Sequence, residues 1–216
     1  LMTVLSPVFS SRANLVNILQ QVTVNAIIAL GMSTVIFTGG VDLSVGSILA
    51  ICGIVMGKLI VGMGVHPVFA IAVSIVIGAV CGTITGILIA KFKLQPMIAT
   101  LGMMSIARGA ALTLANGKTI TGYPAGFRWI GSGRIAEIPV QIIIMLILYF
   151  AMWYILKYRK FGRYIYSIGG NVEATRLSGI NVLRYKTLAY TVCGVLSSMA
   201  GIVLVAKLNS AQSIAG

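Results

Sequence analysis

The chain has 216 residues, of which 58% are hydrophobic and only 9% are charged, and its formal net charge at pH 7 is +13. A soluble domain carries about a quarter charged residues, whereas repeated apolar runs of about twenty residues have the length that spans a bilayer. The composition therefore excludes a soluble domain and predicts an all-α fold, a polytopic helical membrane bundle.

The surplus of cations raises nucleic acid as a partner, but its distribution argues against one. The basic residues fall mostly in loops and at the ends of apolar runs, with few aromatic residues between them. Cytoplasmic loops of membrane proteins carry an excess of lysine and arginine. We therefore interpret the charge as a sign of membrane topology and expect no nucleic-acid partner.

The two ends of the chain indicate that it continues beyond them. Leu1–Leu5 is too short to span a membrane and is predicted to be the tail of a preceding helix, which Ser6-Pro7 ends. The last residues, AQSIAG, stop abruptly. We expect residues 1–216 to be a single transmembrane domain that is incomplete at both ends.

Apolar runs predict six complete spans, with at least one span interrupted by a Gly-rich break. In chain order the spans cover residues 16–38, a segment that follows Ser44 and ends at 65, a segment that follows Pro67 and ends at 90, and residues 97–115, 139–156 and 187–206.

Three cysteines, Cys52, Cys81 and Cys193, lie within these apolar runs, and their spacing is not that of metal ligands. They are therefore expected to be buried free thiols, and no metal site is predicted.

The first span carries the amide side chains Gln20, Gln21 and Asn25. Polar side chains at membrane depth need partners, because lipid offers none. This face of the helix is therefore predicted to point into the bundle.

The segment Gly39-Gly40-Val41-Asp42-Leu43-Ser44 follows the first span. Two glycines end a helix, and Asp42 and Ser44 can cap the next helix through their side-chain oxygens. Transporters use such discontinuities to build substrate or gating sites where the irregular backbone lines a cavity. The alternative is a tight hairpin at the inner surface in which Asp42 only caps and stays solvated. Turn chemistry alone suffices for this second interpretation.

Glycines at four-residue spacing predict close helix packing. Gly78, Gly82 and Gly86 share one face of the third span, and Gly53 and Gly57 repeat the spacing in the second span. Small residues on one face let a neighbouring backbone approach closely.

Arg108 lies inside the fourth span, between apolar segments. An arginine at the centre of a span costs about 3 kcal/mol on insertion scales. It is expected either to face an aqueous path or a partner group, or to extend its side chain to the outer interface.

Residues 157–186 form the long polar interval between two apolar runs, with Glu173 as their one acid. Short basic loops stay in the cytoplasm, and alternation then places residues 39–44 and 91–93 on the same side and Arg12, His66 and residues 116–138 outside. Seven of the sixteen basic residues lie in this interval: Lys157, Arg159, Lys160, Arg163, Arg176, Arg184 and Lys186.

A short helix is predicted within this basic interval. Asn171 is a good N-cap, the charge of Glu173 suits the first turn, and Gly179 suits the position after the last turn. Such a helix is too short to be stable alone. It must pack on the bundle or on another protein, unless it is a surface helix with no partner.

At this point the sequence resembles a known family. GGVDLSVGS at 39–47, GRYIYSIGGNVEATRLSGIN at 162–181 and the span ending in AKLNSAQ at 206–212 are similar to segments of the membrane permeases of bacterial ABC importers for monosaccharides. Within that family the chain looks most like the ribose-type permeases, whose group includes the autoinducer-2 permeases. The resemblance covers essentially the whole chain and keeps the order and spacing of the motifs.

The resemblance implies a coupling element for an ATP-hydrolysing subunit within the cytoplasmic loop 157–186. Glu173-Ala174-Thr175, followed by Gly179, has the spacing of the EAA-type loop of importers, with Thr175 where the second alanine would stand. The residues implied in coupling are Asn171, Glu173, Ala174, Thr175, Arg176, Gly179 and Asn181.

The resemblance also shifts the interpretation of residues 39–47 towards a structural part in the translocation path. An uncharged sugar requires hydrogen-bonding groups along its route, and polarity within or beside the spans supplies candidates. The candidates for the path and the helix break are Gly39, Gly40, Asp42, Ser44, Gln20, Gln21, Asn25, Arg108, Asn209 and Gln212.

The resemblance implies that residues 1–216 form one permease domain in the bacterial inner membrane. This domain would transport a monosaccharide by alternating access. Its partners would be an ATP-binding subunit, a solute-binding protein, a second permease copy and membrane lipid. Residues 1–216 contain no GxxxxGK[ST] phosphate loop, so ATP hydrolysis is expected on another polypeptide. No cofactor is expected.

Two other classes fit the residues less well. A self-contained channel or ion-coupled symporter is the alternative, but its proton or sodium relay would have only Asp42 and Arg108 within the membrane region. An intramembrane enzyme lacks a paired-carboxylate or nucleophile–base set, and the single histidine, His66, lies in a turn. We therefore predict no catalytic residues.

Overall fold

The computed structural model of the chain describes residues 11–215. The predicted helix tail at Leu1–Leu5 and its end at Ser6-Pro7 lie outside the described residues. The fold within the described part is a bundle of helices with two small pairs of strands.

Six of the helices are long and apolar enough to cross a membrane, which confirms the predicted all-α bundle. The helices are α1 (Arg12–Ile36), α2 (Val45–Gly57), α3 (Pro67–Ala90), α4 (Pro96–Ala115), α5 (Ala125–Ser132), α6 (Val140–Tyr158), α7 (Lys160–Gly170), α8 (Val172–Leu177) and α9 (Val182–Leu208). The six that could cross a membrane are α1, α2 with the π-helical turn Lys58–Gly62 that continues it, α3, α4, α6 and α9. The strands are β1 (Ile120–Thr121), β2 (Arg134–Ile135), β3 (Ile138–Pro139) and β4 (Ser210–Ala211).

Local sequence explains where several spans begin and end. Pro67 and Pro96 occupy the first helical positions of α3 and α4, where a missing N–H costs nothing. Asn116 and Asn209 end α4 and α9 in the left-handed conformation, with φ of 50° and 52°, which asparagine tolerates better than most residues. The spans are therefore bounded by residues suited to helix ends.

Helix α9 forms the centre of the bundle and packs against α1, α2 and α3. Its closest contact is with α3, where a Cβ at Gly78 would lie 2.5 Å from the carbonyl oxygen of Gly194. Gly82 and Gly86 likewise abut the α9 backbone at Tyr190 and Thr187. The predicted close packing at the α3 glycines is confirmed.

The two ends of the bundle bring together the loops that alternation predicts. At the basic end, the rings of Phe37 and Tyr166 lie 4.6 Å apart, so the connection after α1 meets α7. At the opposite end, Arg12 forms an ion pair of 2.7 Å with Glu137. There β1 also pairs with β4, which follows α9.

The loops contain more structure than the sequence pattern predicted. Helix α7 lies in the basic interval 157–186, where only the short helix after Asn171 was predicted, and it forms because Gly162, Ile165 and Ile168 recur every three residues as a buried stripe. Helix α9 begins at Val182 rather than near 187, because the side chain of Asn181 caps it. The opposite loop, residues 116–138, contains α5 and β1 and not only polar turns.

Candidate functional site

The helix predicted in the basic segment is present as α8. The side chain of Asn171 accepts a hydrogen bond from the main-chain N–H of Ala174 at 2.9 Å, and the Thr175 hydroxyl donates to the Asn171 carbonyl at 2.7 Å. Gly179 follows the last turn with a φ of 78°, a conformation that favours glycine. The predicted cap residues at both ends of α8 are confirmed.

Charged groups of α8 are exposed and paired within the helix. Glu173 and Arg176 form a hydrogen-bonded ion pair of 2.9 Å. Ala174 is exposed and Thr175 is the buried residue of the helix. Asn181 lies beyond α8, where its side chain accepts from the N–H of Arg184 at 2.9 Å and starts α9. All seven predicted coupling residues therefore lie in or beside one exposed, well-capped turn of helix.

Two apolar residues of α8, which the sequence analysis did not single out, are exposed beside these charged groups. Leu177 is 81% exposed and Val172 is 41% exposed. The signal that could have revealed Leu177 is an aliphatic residue among the polar residues of a short capped helix. Together they give α8 a small exposed apolar tip beside its charged groups.

A groove of about 730 Å³ lies between α8 and the turn that joins α3 to α4. Its walls combine lysine and arginine side chains with proline and aliphatic residues, so a partner could find both charge and apolar surface there. Among the residues that form the groove are Lys93, Gln95, Pro96, Val172, Glu173 and Arg176.

The Gly-rich segment between α1 and α2 lies at the basic end and joins two spans. Asp42 is fully buried, and its Oδ1 accepts hydrogen bonds from the N–H and the hydroxyl of Ser44 at 2.9 and 2.6 Å. The alternative of a solvated Asp42 is therefore wrong. Ser44 is the N-cap residue of α2 but makes no side-chain capping bond, because its hydroxyl donates to Asp42 instead.

This segment packs tightly against α9. A Cβ at Gly40 would collide with the Tyr190 hydroxyl, and Gly39 turns the chain with a φ of 73°. The second carboxylate oxygen of Asp42 and the hydroxyl of Tyr190 are buried without a hydrogen-bond partner. Burial raises the pKa of the Asp42 carboxyl above its usual value, although the bonds from Ser44 lower it in part.

Arg108 is half-buried in α4 and contacts the chain that follows α9. Its guanidinium donates to the carbonyl oxygens of Ser213 and Ala215, each at 3.3 Å. The arginine thus has partner groups within the chain, as the first of the two interpretations expected. The same segment holds Gln212, which is exposed.

Asn209 organises the turn between α9 and β4. Its side-chain oxygen accepts from the N–H of Tyr123 at 3.2 Å, next to the β1–β4 pair. Asn209 therefore ties the end of α9 to the opposite loop of the bundle.

The amides of α1 have different surroundings. Gln20 is half-buried, and its main-chain oxygen accepts from the Lys207 ammonium at 2.8 Å. Gln21 and Asn25 are exposed and lie one helical turn apart. Within the single chain the predicted burial of these two is wrong, because no helix of residues 11–215 covers their face of α1. The structure does not bring the α1 amides and the residues of the helix break into one cavity.

Comparison with known proteins identifies the class to which this capped, polytopic bundle belongs. The sequence profile of the family described as "Branched-chain amino acid transport system / permease component" matches residues 14–216. The chain belongs to this permease family of ABC importers. It is a transport subunit and not an enzyme, and it is a multi-pass protein of the inner membrane.

Within that family, ribose import permeases are close relatives. The chain is 48% identical to the ribose import permease protein RbsC of Escherichia coli (strain K12), over all of this chain and 68% of that protein. It is 44% identical to RbsC of Bacillus subtilis (strain 168), over all of this chain and 67% of that protein. Identity to the fructose import permease protein FrcC of Rhizobium meliloti is 32%, over 96% of this chain and 60% of that protein. The resemblance to ribose-type sugar permeases is thus confirmed, and no solved structure matches the chain.

Proposed function

We propose that the chain carries a ribose-like monosaccharide inward by alternating access, driven by a separate ATPase subunit that binds α8 and supplied by a solute-binding protein at the opposite face. The observation that carries the proposal is the exposure of Leu177 on a helix that is capped at both ends. A helix of six residues is not stable alone. Its caps hold it in shape, so it offers an ATPase a preformed apolar tip flanked by charge.

The choice of ribose rests on the order of the identities. They are 48% and 44% for the two ribose permeases and 32% for the fructose permease. A sugar is uncharged, which agrees with a membrane region whose Asp42 is enclosed and whose Arg108 is engaged by main-chain carbonyls.

A second permease copy is part of this proposal. Gln21 and Asn25 lie on a transmembrane helix with their side chains exposed in the single chain. Amides at that depth are unfavourable against lipid. A second copy that covers this face, or an aqueous path between two copies, would satisfy them.

The test of coupling uses Leu177→Asp in the full-length permease, co-expressed with its ATPase subunit. A charge at the apolar tip must be desolvated on docking, so we expect at least a tenfold loss of ATPase co-purification and of ATP-driven ribose uptake. Leu208→Asp is the matched control, because Leu208 is also exposed, at 51%, but lies at the opposite end of the bundle. Unchanged ATPase association in the Leu177 variant would contradict the proposal.

The substrate is tested separately, by uptake of radiolabelled ribose, fructose and allose into vesicles that contain the permease, its ATPase and its binding protein. We expect ATP-dependent uptake of ribose above that of the other two sugars. Equal ribose uptake by vesicles that contain only the permease would favour a channel or symporter.

A further inference from the structure

The chain bends sharply where the span α6 meets α7, and a pocket lies inside the bend. Arg159 joins the two helices in an extended conformation, with φ of −96° and ψ of 156°. Gly162 packs directly against the Leu156 carbonyl, where a Cβ would collide, so α7 folds closely under the end of α6. The angle forms an open pocket of about 380 Å³, which is lined by Trp153, Leu156, Lys157, Arg163 and Tyr166.

We propose that this pocket binds the phosphate of an anionic phospholipid, with the acyl chains lying along α6. The site does not depend on which sugar is carried or on how the ATPase docks. The argument has three parts, namely the charge of the pocket, its depth in the membrane and the surface next to it.

The charge of the pocket is positive and has no internal counter-ion. Lys157, Arg159, Lys160 and Arg163 are all exposed within seven residues of chain. Clusters of about four or more cations directly after a span are typical of sites for anionic lipid. The guanidinium of Arg163 can also bind two phosphate oxygens at once.

All three acids of the chain are accounted for elsewhere. Asp42 is fully buried and bonded to Ser44. Glu137 is paired with Arg12 at the opposite end, and Glu173 is paired with Arg176 on α8. None of these acids therefore offsets the charge of the four cations around the bend.

The aromatic residues around the pocket place it at headgroup depth. The Lys157 ammonium lies 5.1 Å from the centre of the Trp153 ring and 5.4 Å from that of Tyr158. The Arg159 guanidinium lies 5.3 Å from the centre of the Tyr154 ring. Tryptophan and tyrosine concentrate at the membrane–water interface. Because the rings hold the cations at this level, a lipid phosphate can meet them without leaving the bilayer.

The surface next to the pocket is apolar and continues along the span. Phe150 is 68% exposed, and its ring lies 5.5 Å from that of Trp153. Ile147, one turn further from the bend, is 61% exposed. A headgroup in the pocket would therefore leave its acyl chains on an open hydrophobic face. A soluble phosphate compound would gain nothing from this surface, which favours a lipid.

The test uses the whole permease with Trp153 as its only tryptophan, so that Trp129 and any tryptophan outside residues 1–216 are replaced by phenylalanine. The protein is reconstituted in phosphatidylcholine vesicles that contain increasing amounts of phosphatidylglycerol. In one series the phosphatidylglycerol carries brominated acyl chains, which quench tryptophan fluorescence, and in a parallel series the phosphatidylcholine carries them. We expect phosphatidylglycerol to quench Trp153 at least threefold more effectively than phosphatidylcholine at equal mole fraction. This preference should shrink as KCl rises from about 0.05 M to about 0.5 M, because salt screens the cations.

The variant Lys157→Gln with Arg163→Gln should lose the preference for phosphatidylglycerol. Lys91→Gln with Lys93→Gln is the matched control, since it removes the same charge at the same end of the bundle but outside the pocket, and it should keep the preference. Equal quenching by the two lipids in the unsubstituted protein would overturn the proposal, as would an equal loss in both double variants. Displacement of the brominated phosphatidylglycerol by millimolar inorganic phosphate would overturn it too, because the site would then select free phosphate. The salt series on the unsubstituted protein decides the matter even if the pocket variant fails to fold.

Discussion

Asp42 is the buried carboxyl group of the connection between α1 and α2, and its charge has a cost. Its Oδ1 is satisfied by Ser44, but its second oxygen has no partner. The titratable groups packed against it are Cys193 and Tyr190 of α9, and neither supplies a positive charge. Because burial raises its pKa on folding, the folded state loses stability as pH rises through the unfolded pKa of about 3.9, until the folded carboxyl group also ionises.

Asp42→Asn should therefore become more stabilising as pH rises. The asparagine Oδ1 still accepts both bonds from Ser44, and the side chain carries no charge to bury. We expect its thermal midpoint in detergent to exceed that of the unsubstituted protein by more at about pH 8 than at about pH 4, since the parent loses stability as pH rises from the unfolded pKa to the raised folded pKa. Glu173→Gln, at an exposed acid, should show no such trend. An asparagine variant that is less stable than the parent at about pH 8 would contradict this account.

Gly82 tests the contact between α3 and α9. A Cβ there would collide with the Tyr190 carbonyl, whereas a Cβ at Gly102 of α4 would meet nothing within 4 Å. Alanine at either position would stabilise its helix by about 1 kcal/mol relative to glycine, because alanine has the higher helix propensity. Gly82→Ala should nevertheless destabilise the bundle by about 1–3 kcal/mol through overpacking. Thermal unfolding in detergent, with Gly102→Ala as the reference, measures the difference.

At the level of elements, α7 connects the proposed ATPase contact to the transmembrane region. It directly precedes α8, its Tyr166 ring contacts Phe37, and its Gly169 abuts the Phe37 carbonyl. Movement of α8 can therefore reach the connection between α1 and α2 through a packed helix. Such a route needs a demonstration of coupling as well as contact.

The substitution Gly169→Ala tests whether this contact couples α8 to the connection between α1 and α2. The new methyl group would collide with the Phe37 carbonyl, whereas the same change at Gly170 meets nothing within 4 Å. We expect the Gly169 variant to keep its ATPase subunit and its ATP hydrolysis but to transport at least fivefold less sugar per ATP hydrolysed. Gly170→Ala should match the parent. Parallel loss of hydrolysis and transport would show instead that the change damages assembly.

How far the sequence predicts these elements depends on the range of the interactions that form them. The spans follow from local hydrophobicity, and Asn171 and Gly179 mark α8 because capping depends on a few adjacent residues. The burial of Asp42 could not be predicted, since it depends on Tyr190, which is far away in the chain. Helix α7 was missed because its buried stripe includes a glycine, Gly162, whose role appears only when Leu156 is seen against it.

For the whole molecule, the difference in charge between the two ends predicts the orientation of the chain in the membrane. Residues 157–186 hold seven basic residues, whereas residues 116–138 hold three, Lys118, Arg128 and Arg134. The structure groups the loops by end through the Phe37–Tyr166 and Arg12–Glu137 contacts. The excess of positive charge therefore predicts that the α7–α8 end lies in the cytoplasm, where ATP is available.

Cysteine labelling tests this orientation in cells. Arg128→Cys and Arg159→Cys are introduced separately into a variant in which Cys52, Cys81, Cys193 and any cysteine outside residues 1–216 are replaced by alanine, so that each protein carries one exposed thiol. A membrane-impermeant maleimide should label the Arg128→Cys protein in spheroplasts with an intact inner membrane. It should label the Arg159→Cys protein only after that membrane is permeabilised, because the charge difference keeps this end inside. Labelling of the Arg159→Cys protein in intact spheroplasts would reverse the orientation, and the ATPase could then not reach α8.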